Sequence, residues 1–358
     1  MARCCTPSPR AAIDFLAQML SPNMSHPTEF TSLLDVINHC DDFPHPTRNL
    51  KAYSTRVNSL YHFRVSGESA TLGYMLPSIA RIFASYPNWV LDTKSRPKTL
   101  TLATSPDDEA SRSAAIATTL ASLRERRIFA VLLNWRDELK PAYGASGGHL
   151  FSIERAAFPL LGIVGYGVML LAYTRSGGKG GEVSGIWVQR RSRSARTHPG
   201  YLDGTAAGGM PVDMTPFATL LTEAEEEASL AKELVGARAK ARGTLSYFHT
   251  RRKEMGGEVG LLQPGVHFLY EMELLPDDDV CPRSNDKNVA GFELMTPEEL
   301  QCEILAGRAK PWFALAAIDF FVRHGIITEE NERDYVEICM RLHRTLEFPV
   351  FGTSFLNR

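Results

Sequence analysis

A short acidic run beside a pair of glycines constrains this chain of 358 residues more than any other feature of its sequence. Glu223, Glu226 and Glu227 follow Gly208 at a spacing that places three carboxylates on one face of an α-helix. Carboxylates this close repel one another unless a cation lies between them, and Mg²⁺ and Mn²⁺ favour oxygen ligands. The run therefore predicts a helix that binds a divalent metal ion; the alternative is an ordinary solvated helix face.

The same segment carries signals for a helix that packs on a sheet. Thr215 is a suitable N-cap, and Pro216 stands in the first turn, where its missing amide hydrogen costs nothing. An apolar stripe next to the acidic one predicts that one side of the helix is buried. Its members are Phe217, Leu220, Leu221, Ala224 and Ala228. We expect this packing to hold the carboxylates at a fixed place.

This segment resembles the Nudix box, whose core reads R-E-U-x-E-E-x-G-U, with U an aliphatic residue, after an opening glycine and an earlier glutamate. Gly208 opens the match, and Glu223, Glu226 and Glu227 occupy the acidic positions of the core. In the family these acids hold the metal ions that bridge a substrate diphosphate and activate a water molecule. The resemblance implies that the three glutamates are catalytic and that they bind metal together with Gly208.

Three positions of the box depart from the pattern. Met214 stands at the early glutamate, Thr222 at the arginine and Ser229 at the late glycine. The arginine of the family orients neighbouring glutamates, and Thr222 carries no charge with which to do so. Ser229 can end the helix only with strain in a left-handed conformation or by a different exit.

The flanking sequence extends the resemblance to about residues 30–335. Segments 40–44, 134–143, 186–209 and 311–325 are similar to a Nudix subfamily related to the hydrolase half of fungal thiamine pyrophosphokinase proteins and to their plant relatives. The implied fold class is α/β (α+β), with a C-terminal Nudix α/β/α sandwich around a mixed sheet and a smaller N-terminal α/β domain. We therefore expect four parts: a disordered or targeting extension over 1–30, the N-terminal domain over 31–150, the Nudix domain over 151–335 and a packed tail over 336–358.

By resemblance alone, the expected activity is metal-dependent hydrolysis of a diphosphate bond in a small organic molecule, with Mg²⁺ or Mn²⁺ as cofactor. The subfamily implies oxo and oxy forms of thiamine diphosphate, cleaved to the monophosphate. Nothing in the residues identifies thiamine independently. The identity of the organic group therefore stays open.

Further residues are candidates for contact with the substrate. Arg190 and Arg191 end a predicted strand before the box, and guanidinium groups suit diphosphate oxygens. His198 is expected to make a loop contact rather than to act as a base, and Asp203 to form a turn. The small side chain of Ala207 permits close approach of backbone to a ligand.

A second hypothesis is that the Nudix fold is degenerate and serves as a ligand-binding module or a non-hydrolytic enzyme of specialised metabolism. Relatives carry acids after the box at positions where this chain has Asn288 and Ala290. The neutral Met214 and Thr222 point the same way. Glu293 is the nearest surviving carboxylate and the candidate for a remote acid.

The composition of the chain argues against a nucleic-acid-binding protein, a structural zinc protein and a membrane-spanning protein. A net charge of −2 provides no basic field for nucleic acid. The six cysteines include no C-x-x-C pair, which argues against structural zinc and favours a reducing compartment. The apolar run 161–173 is too short to span a bilayer and predicts a buried strand. We expect a cytoplasmic protein without nucleic-acid or membrane partners; a homodimer and organelle targeting by residues 1–25 stay open.

Periodicity predicts the remaining elements. Helices are expected over 31–39, 111–124, 296–305 and 311–324. Strands are expected over 128–133, 185–190, 243–249, 265–275 and 289–294. The glycine-rich segment 177–181 is predicted to connect a hairpin, since it lacks the spacing of a phosphate-binding loop.

Overall fold

The computed structural model describes residues 28–177, 180–275 and 278–352. The early part of this range contains a four-stranded sheet in the order β2-β1-β4-β3, in which β1 and β4 are parallel and the other neighbours antiparallel. Its strands are β1 (Tyr61–Val65), β2 (Gly73–Met75), β3 (Trp89–Asp92) and β4 (Thr99–Leu102). The neighbouring helices are Leu50–Asn58, Pro77–Phe83 and Glu109–Glu125.

A two-stranded hairpin follows, formed by β5 (Leu139–Tyr143) and β6 (His149–Glu154). The strand expected over 128–133 was wrong, because Ala130–Asn134 is a 3₁₀ turn. Val131 and Leu132 are neighbours and both are buried in the same cluster. In a strand their side chains would point to opposite faces, so they could not both pack on one side. The Glu258 carboxylate accepts hydrogen bonds from the first two free amides of this turn.

A seven-stranded mixed sheet forms the rest of the fold. The strand order is β11-β12-β7-β8-β13, with β10 paired to β7 and β9 to β8, and β12 and β7 are parallel. The strands are β7 (Gly165–Arg175), β8 (Val183–Arg191), β9 (Leu202–Asp203), β10 (Ala206–Gly209), β11 (Lys240–Thr250), β12 (Leu262–Glu273) and β13 (Val289–Met295). Strands β7 and β8 are antiparallel neighbours, as predicted for a hairpin; residues 178–179 of the glycine-rich segment between them lie outside the described part.

Helices cover both faces of this sheet. Along β7, Val168 and Leu170 face the helix Pro216–Ala228, whereas Met169 and Leu171 face the helix Pro311–Arg323. Both faces of β7 are therefore buried, which explains its nearly continuous apolar sequence. The expected α/β/α sandwich with a mixed sheet is confirmed. The other helices here are Lys232–Arg238, Pro297–Leu305 and Tyr335–Arg341.

The apolar run 161–173 is only partly strand. The short helix Phe158–Leu161 ends at Gly162, whose left-handed backbone has a φ of 62°. A Cβ atom at Gly162 would lie 2.0 Å from the carbonyl oxygen of Tyr74, so the chain turns here at a position that only glycine fits. Among the described helices, none has the length and apolar character needed to cross a bilayer.

The two ends of the described chain meet at one buried carboxylate. Asp41 accepts hydrogen bonds from Arg341 and Arg344 at 3.0 Å each and from the backbone amide of Phe248 at 2.8 Å. It follows the helix Leu33–Cys40, which packs against Pro311–Arg323 rather than against the four-stranded sheet. The division at residue 150 stays a prediction, and residues 1–27 lie outside the described part.

Ser229 ends the helix Pro216–Ala228 in the left-handed conformation, with a φ of 54°. A serine Cβ is strained there, while glycine is not. We expect Ser229→Gly to raise the free energy of unfolding by about 0.5–1 kcal/mol, the difference between relieved strain and added freedom of the unfolded chain. Urea unfolding measures it. Ser229→Ala is the control, since it removes the hydroxyl but keeps the strain; equal effects of the two variants would contradict the argument.

Candidate active site

The helix that carries the acidic run is fixed at its start and along its buried side. The Thr215 hydroxyl accepts a hydrogen bond from the Ala218 amide at 3.1 Å, as the sequence predicts for an N-cap. Leu220, Ala224 and Ala228 are fully buried against the sheet. Phe217 departs from the predicted stripe because 37% of it is exposed, at the margin of the packed face. The packed residues set the direction of the glutamates between them.

Glu227 lies against strands β8 and β10. Its Oε2 accepts hydrogen bonds from the Ala207 amide at 2.9 Å and from Gln189 Nε2 at 3.0 Å. Burial raises the pKa of Glu227 to about 8, nearby Glu223 acts in the same direction, and the Ala207 hydrogen bond opposes them. The Oε1 atom of Gln189 is buried and has no partner among the described protein groups.

Glu223 fills the space above a residue that has no side chain. A Cβ atom at Gly208 would lie 1.7 Å from Glu223 Oε1, so this carboxylate can occupy its position only because residue 208 is glycine. Burial raises the pKa of Glu223 to about 7. The charge of Arg155 opposes that rise, and Glu226 reinforces it. Glu226 itself is exposed, so the structure directs two of the three acids towards the sheet.

The two inward acids are the residues that could hold a metal ion. Within the described residues, no three His, Cys, Asp or Glu side chains are gathered closely enough to form a complete metal site. The carboxylates of Glu223 and Glu227 are nevertheless withdrawn from water, which disfavours their charged forms. The buried Gln189 Oε1, which has no partner among the described protein groups, is a further oxygen donor beside them. These oxygen donors fit Mg²⁺ or Mn²⁺.

The two raised pKa values predict how stability depends on pH. The folded state keeps protons on Glu223 and Glu227 up to pH about 7 and 8, whereas both groups start from an ordinary pKa of 4.5. Because the folded state binds more protons in that window, its stability falls as pH rises through it. We expect the melting temperature of Glu227→Gln to exceed that of the wild type at pH 9 and the difference to vanish near pH 4.5.

Thermal melts without metal measure this effect. Glu225→Gln is the matched control, because Glu225 is exposed on the same helix and only pairs with Lys232 at 3.0 Å. Added Mg²⁺ should raise the melting temperature of the wild type more than that of Glu227→Gln, since a ligand stabilises the state that binds it. A pH-independent difference between wild type and Glu227→Gln would contradict the assignment.

A cavity of about 220 Å³ lies beside these acids. The backbone of Ala207, Gly208 and Gly209 forms one part of its wall, and Lys140, Arg155 and Lys310 bring three cations. Several aromatic side chains also line it, among them Tyr247, His267 and Trp312. Their rings are within 25° of parallel, with centroids 5.6–6.3 Å apart. The cavity thus combines a cationic lining with an aromatic surface.

Arg190 and Glu293 are brought together rather than to the cavity. Arg190 Nε and Nη2 donate to the two carboxylate oxygens of Glu293 at 2.5 and 3.1 Å. Neither residue lines the cavity beside the acids. The predictions that Arg190 binds substrate and that Glu293 is a remote acid remain predictions, and each side chain now has a structural partner.

Arg191 forms an ion pair with Asp203 and does not extend freely from the end of its strand. Its guanidinium lies 3.5 Å from Asp203 Oδ2, and Lys310 Nζ donates to the same oxygen at 2.6 Å. Asp203 is fully buried at the end of β9, where its side chain is an ion-pair partner. Its Oδ1 also accepts a hydrogen bond from the Gly204 amide at 3.0 Å, beside the bend that leads to β10. A diphosphate contact by Arg191 stays a prediction.

His198 and Ala207 have different surroundings. His198 has a φ of 49° and lines a separate cavity, with its ring edge-on to Trp312 at 5.9 Å. Burial, reinforced by Lys310 and Arg191, lowers the pKa of His198 to about 3, so the ring is neutral. Its substrate contact is untested. The Ala207 amide is already engaged by Glu227, while its backbone lines the main cavity.

Sequence reasoning missed Lys140, Arg155, Lys310 and the aromatic group. Lys140 and Arg155 come from the hairpin β5–β6, and Lys310 immediately precedes the helix Pro311–Arg323. Their separation from the box exceeds 50 residues in the chain, so no local spacing could connect them. The only signal was the position of Lys140 within the segment 134–143 and of Lys310 and Trp312 beside or within the segment 311–325.

Comparison with known proteins gives a matching domain family and several similar sequences. Residues 39–165 match a family described as a domain of unknown function, DUF4743. The chain is 34% identical over 222 residues to the uncharacterized protein YJR142W of Saccharomyces cerevisiae, covering 61% of this chain and 64% of that protein. It is 33% identical over 238 residues to the chloroplastic Nudix hydrolase 20 of Arabidopsis thaliana, covering 66% and 58%. The chain thus spans less than two thirds of either relative.

A crystal structure of a Nudix hydrolase from M. smegmatis aligns with 46% of this chain and 86% of its own, at 14% identity and a TM-score of 0.31. The chain is thus homologous to plant chloroplastic Nudix hydrolases over 66% of its length, and its residues 39–165 match the DUF4743 family.

Proposed function

We propose that this protein is a metal-dependent hydrolase of a small organic diphosphate. One observation carries the proposal: Glu223 and Glu227 are drawn from the helix surface onto the backbone of Ala207 and Gly208, beside a cavity with a cationic lining. Burying two carboxylates next to each other is costly without a cation, so the arrangement fits a divalent metal ion.

The side chains have distinct proposed roles. Glu223 and Glu227 hold the metal ion with the exposed Glu226 and the carbonyl of Gly208, and Gln189 keeps Glu227 oriented through its 3.0 Å hydrogen bond. A bound Mg²⁺ or Mn²⁺ supplies Lewis-acid polarisation of a phosphoryl oxygen and lowers the pKa of a water molecule. Glu223 also suits the positioning of that water.

The finer proposal concerns the organic group. The resemblance to the thiamine pyrophosphokinase-related subfamily favours oxo and oxy forms of thiamine diphosphate, cleaved to the monophosphate. The near-parallel rings of Tyr247, His267 and Trp312 supply a flat surface on which a planar ring can stack. Lys140, Arg155 and Lys310 supply charge for the phosphates.

A panel of organic diphosphates tests the proposal. We expect phosphate release from at least one member with Mg²⁺, no release in excess EDTA, and strong loss of rate in Glu226→Gln. Glu225→Gln is the matched control on the same exposed face. Failure of every diphosphate with both Mg²⁺ and Mn²⁺ would refute hydrolysis.

The degenerate-fold alternative has its own motivating observation. The described acids do not form a preassembled site of three, and Glu293 is occupied by Arg190. Calorimetric titration with Mn²⁺ separates the two proposals. Absence of heat, together with binding of a compound that lacks a diphosphate, would favour a ligand-binding module or a non-hydrolytic enzyme.

A further inference from the structure

Two glycines in the wall of the cavity are covered by aromatic rings from neighbouring strands. A Cβ atom at Gly167 in β7 would lie 2.9 Å from His267 Nε2, and one at Gly265 in β12 would lie 2.6 Å from the Tyr247 hydroxyl oxygen. Gly167 is the register partner of His267, and Gly265 is that of Tyr247. The two rings therefore lie across the strands, in space that a side chain on either glycine would fill.

His267 also reaches the backbone that adjoins the acids. The same Cβ position at Gly167 lies 2.9 Å from the carbonyl oxygen of Gly208, so the separation of this oxygen from His267 Nε2 cannot exceed twice that distance. Glu223 approaches Gly208 from the opposite face of the sheet. Strand β10 pairs with β7 and with no other described strand, so its far edge is open to a ligand that contacts both faces.

The Tyr247 hydroxyl decides which nitrogen of His267 carries the hydrogen. Tyr247 is 6% exposed, and its hydroxyl has His267 Nδ1 as its hydrogen-bond partner, at 3.4 Å. Burial raises the pKa of Tyr247, so the hydroxyl keeps its hydrogen and needs an acceptor. Nδ1 is that acceptor, and an imidazole with an unprotonated Nδ1 carries its hydrogen on Nε2. Nε2 has no partner among the described protein groups and is therefore a donor available to a ligand.

The ring of His267 is part of the aromatic surface described above. Its plane lies 17° from that of Trp312, with centroids 6.3 Å apart, and Trp312 stacks on Tyr247 at 5.6 Å. All three rings line the cavity. His267 thus joins the aromatic surface through its ring and lies beside the Gly208 carbonyl through Nε2. A substrate that stacks its organic group on the rings and brings its diphosphate to the acids passes this residue at the junction of its two parts.

We propose that His267 binds the substrate at that junction: Nε2 donates a hydrogen bond to an oxygen of the phosphate that carries the organic group, and Tyr247 positions the imidazole for this contact. The inference rests on the proposed function and adds to it a residue that recognises the bond between the organic group and the diphosphate. A neutral donor suits this place, because a hydrogen bond to a charged oxygen is stronger than one between neutral groups.

Three substitutions of His267 test the hydrogen bond. We expect His267→Phe, which keeps a ring but has no donor, to raise KM for the best diphosphate of the panel about 10- to 100-fold. The bond is made in the bound substrate and in the transition state alike, so kcat should change by less than about threefold. His267→Gln places an amide N–H near the position of Nε2 and should keep KM within about fivefold of the wild type. His267→Asn is the matched control, since its shorter amide reaches only the position of Nδ1; it should be as defective as His267→Phe.

Long-range proton–nitrogen NMR spectra identify the tautomer without turnover. The signals of His267 are those that disappear in His267→Phe, and we expect Nε2 to carry the hydrogen in the wild type. Tyr247→Phe removes the donor to Nδ1, so the hydrogen should distribute between the two nitrogens and KM should rise about three- to tenfold. Mn²⁺ affinity measured by calorimetry should stay unchanged in the His267 variants, because the contact is to phosphate.

The outcomes separate this inference from the proposed function. A wild-type KM in His267→Phe, equal losses in His267→Gln and His267→Asn, or a hydrogen on Nδ1 in the wild type would overturn the role of His267, while turnover by the wild type would uphold hydrolysis. A fall in kcat at unchanged KM, or a changed Mn²⁺ affinity, would overturn it in the same way. A wild type that cleaves no diphosphate would overturn both.

Discussion

Glu227→Gln is expected to lower kcat by about a thousandfold or more while the protein stays folded. The substitution removes the negative charge but keeps an oxygen that can accept the hydrogen bonds from Ala207 and Gln189. A metal ligand that loses its charge weakens both binding of the ion and its action on the phosphoryl group, which together are worth several kcal/mol. The loss therefore reflects chemistry rather than unfolding.

Steady-state phosphate release with the best diphosphate of the panel measures this loss, and thermal melts verify the fold. Glu225→Gln should retain nearly full activity, since Glu225 points to solvent between the two inward acids. High Mn²⁺ should restore little of the rate in Glu227→Gln. A variant that retains more than about a tenth of the wild-type kcat would remove Glu227 from the catalytic group.

Gly208→Ala has the second largest expected effect. The new methyl group would lie 1.7 Å from Glu223 Oε1 and 2.0 Å from its Cδ, so the carboxylate must leave its position. The displaced atoms are the end of a flexible side chain, and stability should change by less than about 1 kcal/mol. Activity should fall about a hundredfold, because a displacement of about 1 Å is enough to disrupt a reacting geometry.

Gly291→Ala is the matched control for this change. Gly291 also lies in a strand of the large sheet, and no atom lies within 4 Å of the position that its Cβ would occupy. It should leave kcat unchanged. Calorimetric Mn²⁺ titration of Gly208→Ala should show weakened binding. Wild-type activity in this variant would mean that Glu223 acts from a different position than the one described.

The elements that the sequence predicted well are those whose signals are local. The cap at Thr215, the stripe containing Leu220 and Ala224, and the apolar run that contains most of β7 each depend on neighbours within a few residues. Such patterns repeat with the period of the helix or strand, so a single sequence reveals them. The inward side of the acidic helix followed from them, whereas the fold class was implied by the resemblance of the box and its flanking segments.

The parts that could not be predicted depend on contacts between distant residues. The strand expected over 128–133 failed because Glu258 supplies the hydrogen bonds that stabilise a turn there. Likewise, Lys140 reaches Gly209 from a hairpin 69 residues earlier in the chain, and Lys310 reaches Asp203 across 107 residues. A periodic sequence pattern cannot predict such long-range contacts, because they form only when the sheets and the hairpin are already assembled.

Asp41 has a consequence for any attempt to divide this protein. Its carboxylate is 3% exposed, and its partners come from β11 and from the segment around residues 341–344. Cutting the chain between its DUF4743 and Nudix regions would leave Asp41 on one fragment and both arginines on the other. The fragment with Asp41 would then carry an unneutralised carboxylate at a newly exposed face, whereas Arg341 and Arg344 would keep only Glu337 and Glu347 as partners. We therefore expect that the two regions must be produced and purified as one chain.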